Sequence, residues 1–185
     1  MSNRRAAPPR NPRPPYPAPP APPLDDVDVA ILALLVDDGR MSNAEIARRV
    51  GIPESTCAGR VRALLASQVV RGIHADVDLA SVGRPMEAMI ALQFTGHARE
   101  AMDAVRARIR EVPGVVAAYH VAGHTDFLVH VCAASSDALR DLVLDHLTSL
   151  AGVAHAETSL IFERIEGGHP WDPAGARRAR AAGRR

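Results

Sequence analysis

The chain contains no lysine. Its 22 basic residues other than histidine are all arginine, set against 21 acids, a bias of genome composition more than of design. Cysteine is also scarce. Cys57 and Cys132 stand far apart, which excludes a disulfide framework and a thiolate zinc set and suits a reducing cytoplasm. No apolar run approaches the roughly 18 residues needed to span a bilayer. The N-terminus lacks the basic-then-apolar order of a signal peptide. What remains is an ordinary globular composition, 47% apolar over 185 residues, enough for one or two domains with buried cores.

The net charge of +1 hides an uneven distribution. Residues 1–23 carry Arg4, Arg5, Arg10 and Arg13 with no acid, and residues 174–185 carry Arg177, Arg178, Arg180, Arg184 and Arg185 with none. The body between them is therefore acidic. Basic ends on an acidic body suit contact with phosphates, or simply keep a chain soluble. Residues 1–23 also hold ten of the fifteen prolines. Such a segment is expected to be a disordered, partly polyproline-II arm.

From Leu24 the pattern changes. Asp25, Asp26 and Asp28 sit where acids favour a helix start. Val27, Ile31, Leu34 and Leu35 then recur at the spacing of one buried helical face. After Asp38-Gly39, Ser42 and Glu45 have capping-box spacing, and Ile46 and Val50 share a face. Gly51 follows, where a left-handed residue ends a helix at least cost. Pro53 opens the next helix, whose apolar stripe is Cys57, Val61, Leu64 and Leu65. Two short helices about a glycine turn describe a helix-turn-helix. The same spacing fits an ordinary helical hairpin on a solvated surface, and these residues alone leave the two open.

On the DNA reading, Ser55 and Thr56 lie at the helix end that meets base edges. Arg60 and Arg62 project about 200° apart, so at most one faces a groove squarely, and an ion pair within the fold is the alternative for either. Arg48, Arg49 and Arg71 are candidate phosphate contacts, which position a protein without reading sequence. Residues 69–75 are β-prone around Gly72 and are expected to form a wing or connecting strand. Residues 76–85 read as a hinge, punctuated by Gly83 and Pro85.

The second half has another rhythm. Met86, Ala88, Ile90, Leu92 and Phe94 alternate with Glu87, Met89, Ala91 and Gln93, the period of a strand. Met102, Val105 and Ile109 have helical spacing. Residues 115–121 and 127–132 read as strands. A helix capped by Ser135 or Ser136 bears Leu139, Leu142, Val143, His146, Leu147 and Leu150. Residues 155–165 form a last strand. The order β-α-β-β-α-β is the split βαβ, ferredoxin-like arrangement. Its helices cover one sheet face, and a second copy of the chain is the simplest cover for the other.

These pieces together resemble the Lrp/AsnC (feast/famine) family of transcription regulators, over about residues 24–165. The resemblance is carried by Leu24-Asp25-x-x-Asp28-x-x-Ile31-Leu32, by Asp38-Gly39-Arg40-x-Ser42, and by Cys57-x-x-Arg60-Val61-x-x-Leu64. Gly72-Ile73, Pro113-Gly114-Val115 and Gly123-x-x-Asp126-Phe127 follow in order. The chain departs from the family at Pro53, where a capping Ser or Thr is usual, at Gly59 inside the second helix, and at His124, where the family has Asp. The fold class implied is α+β: a winged helix-turn-helix domain over 24–75, a hinge over 76–85 and a ferredoxin-like domain over 86–167. A basic tail over 168–185 follows. The resemblance implies double-stranded DNA as partner, homodimers assembling to octamers or similar rings, and a small-molecule effector, often an amino acid. That effector would sit near Gly123, His124, Thr125 and Asp126. Asp126 is then the candidate acceptor for an ammonium group, or else only the cap of its turn.

No cofactor is expected. His120, His124 and Asp126 lie within seven residues, but nothing in their spacing sets a tetrahedral ligand set, so no metal is assigned. Two other readings compete: a sirohaem-type tetrapyrrole decarboxylase, which resembles the same architecture, and a ligand-binding assembly protein without DNA contact. An aromatic content of 3% and the lack of a convergent polar cluster count against the first. Seven acids against six arginines over residues 24–75 favour the second.

Overall fold

A computed structural model describes residues 23–96, 99–165 and 167, with residues 99–101 as backbone alone. The arm before Pro23 and the tail after Gly167 lie outside the described residues, so the expectations for them are not addressed by the fold. The chain forms two compact units. One ends at Ala75 and takes in Gly167, and the other spans Asp76–Glu166.

The first unit is three helices: α1 (Asp26–Asp37), α2 (Asn43–Val50) and α3 (Glu54–Ala66). Asp25 caps α1 by accepting from the Asp28 N–H at 2.9 Å, while the Asp28 carboxylate accepts from the Asp25 N–H at 3.2 Å. This reciprocal box satisfies two orphan donors of the first turn. The box expected at Ser42 and Glu45 is only half made. Ser42 accepts from the Glu45 N–H at 3.2 Å, but two guanidinium groups draw the Glu45 carboxylate away from the cap.

Gly51 ends α2 in the left-handed region at φ 77°, where a Cβ would be strained. Ile31, Ile46 and Cys57 are fully buried where the three helices meet, with Val27, Ala47 and Leu64 around them. Leu65, expected on this seam, is 40% exposed. It lies one helical step round from Leu64, and Val61, Val69 and Val70 fill the place it would take. Residues 69–75 carry no strand, so the expected wing is not formed among the described residues. They instead close over the α1–α2 turn. A Cβ on Gly39 would come within 2.6 Å of Ile73.

The second unit follows the expected order: β1 (Met86–Phe94), α4 (Arg99–Glu111), β2 (Val115–His120), β3 (Phe127–Ala133), α5 (Ser136–Asp141) and β4 (Val153–Ile161). The sheet runs β2-β3-β1-β4 with every neighbour antiparallel. Ala88, Ile90 and Leu92 of β1 stand opposite Val131, Val129 and Phe127 of β3, and Phe94 continues the same face. This face buries Met102, Val105 and Ile109 of α4 and Leu139, Leu142, Leu147 and Leu150.

Helix α5 continues as a π-helical turn over Leu142–Leu147, closed by the Thr148 N–H on the Val143 carbonyl at 2.9 Å. A regular helix would bring His146 under Leu142. The wider turn brings Leu147 instead, and His146, expected on the buried face, is exposed. Tight approach of the chain requires Gly114, at φ 91° with Cys132 O only 2.7 Å from where a Cβ would stand. The opposite sheet face carries Met89, Ala91, Ala117, Leu128 and Tyr119, with Glu87 and His130 paired at 2.8 Å among them.

Candidate DNA interface and effector turn

Pro53 stands at the N-cap of α3 with extended backbone and makes no side-chain cap. The first turn of α3 therefore depends on Glu54, whose charge suits a helix N-terminus. Ser55, Thr56, Gly59, Arg62 and Ala63 are exposed along the outer side of α3, while Cys57 and Leu64 face the core. Ser55, Gly59 and Arg62 follow one another at four and three residues, so they share a stripe. Nothing lies within 4 Å of a Cβ built on Gly59. Arg62 has no partner among the described residues, and the same holds for the exposed Arg71.

Arg60 is placed otherwise. Its guanidinium donates to the Asp28 carboxylate at 2.8 Å and to Asp25 at 2.9 Å, tying α3 to the capping box of α1. Hydrogen bonds to Asp28, then to Asp25, raise its pKa further. Burial works to raise the Asp25 carboxyl, but the Asp28 N–H and Arg60 outweigh it and hold it below its ordinary 3.8. Of the two arginines considered for the groove, Arg60 is thus held within the fold and Arg62 is presented. The reason is the Asp25-x-x-Asp28 spacing, which puts two carboxylates at the end of α1 nearest to α3.

Arg48 and Arg49 also have a carboxylate partner. Both donate to Glu45, at 2.6 Å each. Hydrogen bonds from Arg48, then Arg49, pull the Glu45 carboxyl down to about 2. The pairs are exposed, at 72% and 47% for the arginines. Exposed pairs of this kind hold their partners loosely, so both guanidinium groups remain on the surface beside the turn.

In the second unit, Gly123 lies at φ 135° with open space around it, and His124 is exposed. The Val121 N–H donates to the Asp126 carbonyl at 2.9 Å, closing the turn. Asp126 is fastened to β1 twice: its N–H donates to Leu92 O at 3.0 Å, and its carboxylate accepts from the Phe94 N–H at 2.8 Å. The turn is thereby pinned to the end of a core strand. His120 lies apart from it, against the Phe127 ring at 4.8 Å and Arg106 at 3.1 Å. No cluster of three metal-ligating side chains forms among the described residues. Sequence reasoning carried an ion pair within the fold as the alternative for Arg60 without naming Asp25 and Asp28 as its partners, and it missed the Glu87–His130 pair. The first was signalled by the Asp-x-x-Asp spacing, and the second by a glutamate and a histidine on the same face of two adjacent strands.

Residues 24–65 match the AsnC-type helix-turn-helix domain, and residues 87–170 match the Lrp/AsnC ligand binding domain. The HTH-type transcriptional regulator AldR of Mycolicibacterium smegmatis is 43% identical over 140 residues, 76% of this chain and 82% of that protein. The chain belongs to the Lrp/AsnC family. Its Lrp/AsnC relatives include the leucine-responsive regulatory protein of Rhizobium meliloti, 33% identical over 74% of this chain and 87% of the relative. Among solved structures, a transcriptional regulator of Neisseria meningitidis in complex with L-Met superposes with a TM-score of 0.73. It is 29% identical and covers 81% of this chain and 97% of its own. MtbAldR superposes at 0.65 with 38% identity, covering 80% and 100%. Like these Lrp/AsnC proteins, the chain is a DNA-binding transcriptional regulator with a helix-turn-helix domain and a ferredoxin-like α+β domain. These relatives are regulators, which favours that reading over the decarboxylase-like one. No described helix is long and apolar enough to cross a membrane.

Proposed function

We propose that this Lrp/AsnC protein is a cytoplasmic, sequence-specific regulator whose DNA binding responds to an amino-acid-sized effector. The observation that carries the reading is the exposed stripe of α3, where Ser55, Thr56 and Arg62 stand outward while Arg60 anchors the helix from behind. Ser55 and Thr56 then meet bases or phosphates through hydroxyls, Arg62 enters the groove, and Arg48, Arg49 and Arg71 meet the backbone. Three contacts per protomer specify little sequence, so two protomers on two half-sites are the working unit.

The effector reading rests on the match to a ligand-binding domain and on two relatives whose names state an amino acid, leucine in one and L-Met in the other. In this chain the turn with Gly123, His124 and Thr125 offers backbone N–H groups for a carboxylate. Asp126 keeps that turn in place through Phe94. The apolar sheet face with Met89, Leu128 and Tyr119 is the face we assign to a second copy of the chain, and further association follows from it.

Two measurements test this. A thermal-shift screen against the twenty amino acids should show one or a few that raise the melting temperature, by mass action on the folded state. A gel shift on the gene's own upstream region should then change with that amino acid present. Failure to bind any upstream fragment at low salt would sink the regulator reading.

A further inference from the structure

Gly59 is the only glycine inside a helix or strand among the described residues. Glycine favours a helix less than any residue but proline, so its place in the middle of α3 weakens that helix. Neither usual structural reason for a glycine applies. The Gly59 backbone is not in the left-handed region, and nothing lies within 4 Å of a Cβ built on it. Gly114, by contrast, meets both conditions. The fold would accept a side chain at residue 59, and most would strengthen α3.

The direction in which Gly59 faces is set by the core of the first unit. Counted at about 100° per residue, it lies about 160° round α3 from the buried Cys57 and about 140° from the buried Leu64. It therefore stands near the middle of the outward face. Its neighbours one turn away, Ser55, Thr56, Arg62 and Ala63, are all exposed, while Arg60 holds the helix to Asp28 of α1 at 2.8 Å. This helix lies within the stretch that matches the AsnC-type helix-turn-helix domain. Ser55 and Thr56 carry short hydroxyls. They touch base edges only if the α3 backbone comes close to the floor of the major groove, and a side chain in the middle of the face would hold it off.

We propose that Gly59 is a positioning residue for DNA reading: its missing side chain sets how deeply α3 enters the major groove. Helix stability is given up for depth of approach, which brings Ser55, Thr56 and Arg62 within reach of the bases. The inference rests on the reading of α3 as the helix that meets the bases.

The test compares binding and stability in the full chain. A duplex is selected from a random pool with the unaltered chain, and a random duplex of the same length is the reference. Fluorescence anisotropy then measures Gly59→Ala and Gly59→Leu on both. Each variant should melt at or above the temperature of the unaltered chain, since Ala and Leu favour a helix. Gly59→Ala should weaken the selected duplex about fivefold or more, and Gly59→Leu about a hundredfold, the scale of one or more lost base contacts. Affinity for the random duplex should change less than about twofold, because phosphate contacts do not need that depth. A glycine of merely structural importance would not give a selective loss that grows with side-chain size while stability holds. Unchanged affinity of Gly59→Leu for the selected duplex, or an equal loss on both duplexes, overturns the proposal. A lower melting temperature in both variants overturns it too, because the glycine would then serve the fold. If the unaltered chain selected no duplex above the random reference, the sequence-specific reading would fall first, and the proposal with it.

Discussion

Two arginines two residues apart in α3 have opposite fates, and substituting each should separate stability from binding. Arg60→Ala removes the bridge between α3 and the α1 cap, leaving Asp28 beside Asp25 with no cation. The expected cost is about 1 kcal/mol, since the pair is partly solvated, read as a lower melting temperature of the first unit. The Asp25 carboxyl should also titrate closer to its ordinary 3.8. Arg62→Ala should leave the melting temperature within about 0.5 kcal/mol of the unaltered chain, as surface changes do, while DNA affinity falls. If Arg62→Ala melted early and bound DNA normally, the two roles would be reversed. Two glycines form a second contrast. Gly59→Ala adds a methyl in open space inside a helix and should stabilise by about 1 kcal/mol. Gly114→Ala should destabilise by about 2 kcal/mol or more, from left-handed backbone strain and the Cys132 carbonyl in its way. Chemical denaturation of the two variants reads both signs.

At the scale of elements, α2 depends on pH through Glu45. Its carboxyl titrates near 2 in the fold against an ordinary 4.5. A depressed acid contributes stability above its unfolded pKa and loses it as pH falls through the folded one. The Glu45 contribution should therefore be complete above about pH 4.5 and fade toward pH 2. Following the Glu45 side-chain carbon by NMR should give a midpoint near 2, and Arg48→Ala with Arg49→Ala should move it up. A midpoint near 4.5 in the unaltered chain would mean that the pairs do not persist in solution.

Much of the element list was legible in the sequence, because Gly51, Pro113-Gly114 and Ser135 carry local conformational signals and β1 sets its larger apolar residues at every second position between Glu87 and Gln93. The parts that were not legible depend on competition between neighbours. Ser42-x-x-Glu45 has the spacing of a full box, yet two later arginines claim the glutamate. Residues 69–75 have strand propensity, but within the first unit they meet the α1–α2 turn and find no strand to pair with. Arg60 and Arg62 could be separated only by knowing which end of α1 lies beside α3. At the Gly123–Asp126 turn, the spacing marked Asp126 but not its bond to Phe94, which depends on where β1 ends.

For the whole molecule, the sheet face opposite the helices decides assembly. Met89, Ala91, Leu128 and Tyr119 there surround the Glu87–His130 pair. On the proposed dimer, Ala91→Glu adds an acid beside Glu157, its neighbour on β4, in the middle of a self-complementary face, where like charges meet across the two-fold. Light scattering should show monomers in place of dimers, with DNA affinity falling because two half-sites are no longer linked. Dimers that survive the change would move the interface elsewhere.

The π-helical turn after α5 has a consequence for chain length. Leu142 and Leu147 both reach the core because one more residue than usual lies between them, which is the local geometry of a single-residue insertion absorbed without refolding. The exposed Leu144, 55% accessible, is the natural residue to lose. Its deletion would shorten the five-residue step to four, restore ordinary α-helical bonding, and leave Leu139, Leu142, Leu147 and Leu150 on the sheet. The same deletion at Ala138, within regular helix, would rotate every downstream leucine by about 100°. A shortened chain lacking Leu144 should thus fold and melt near the original temperature, while one lacking Ala138 should not fold.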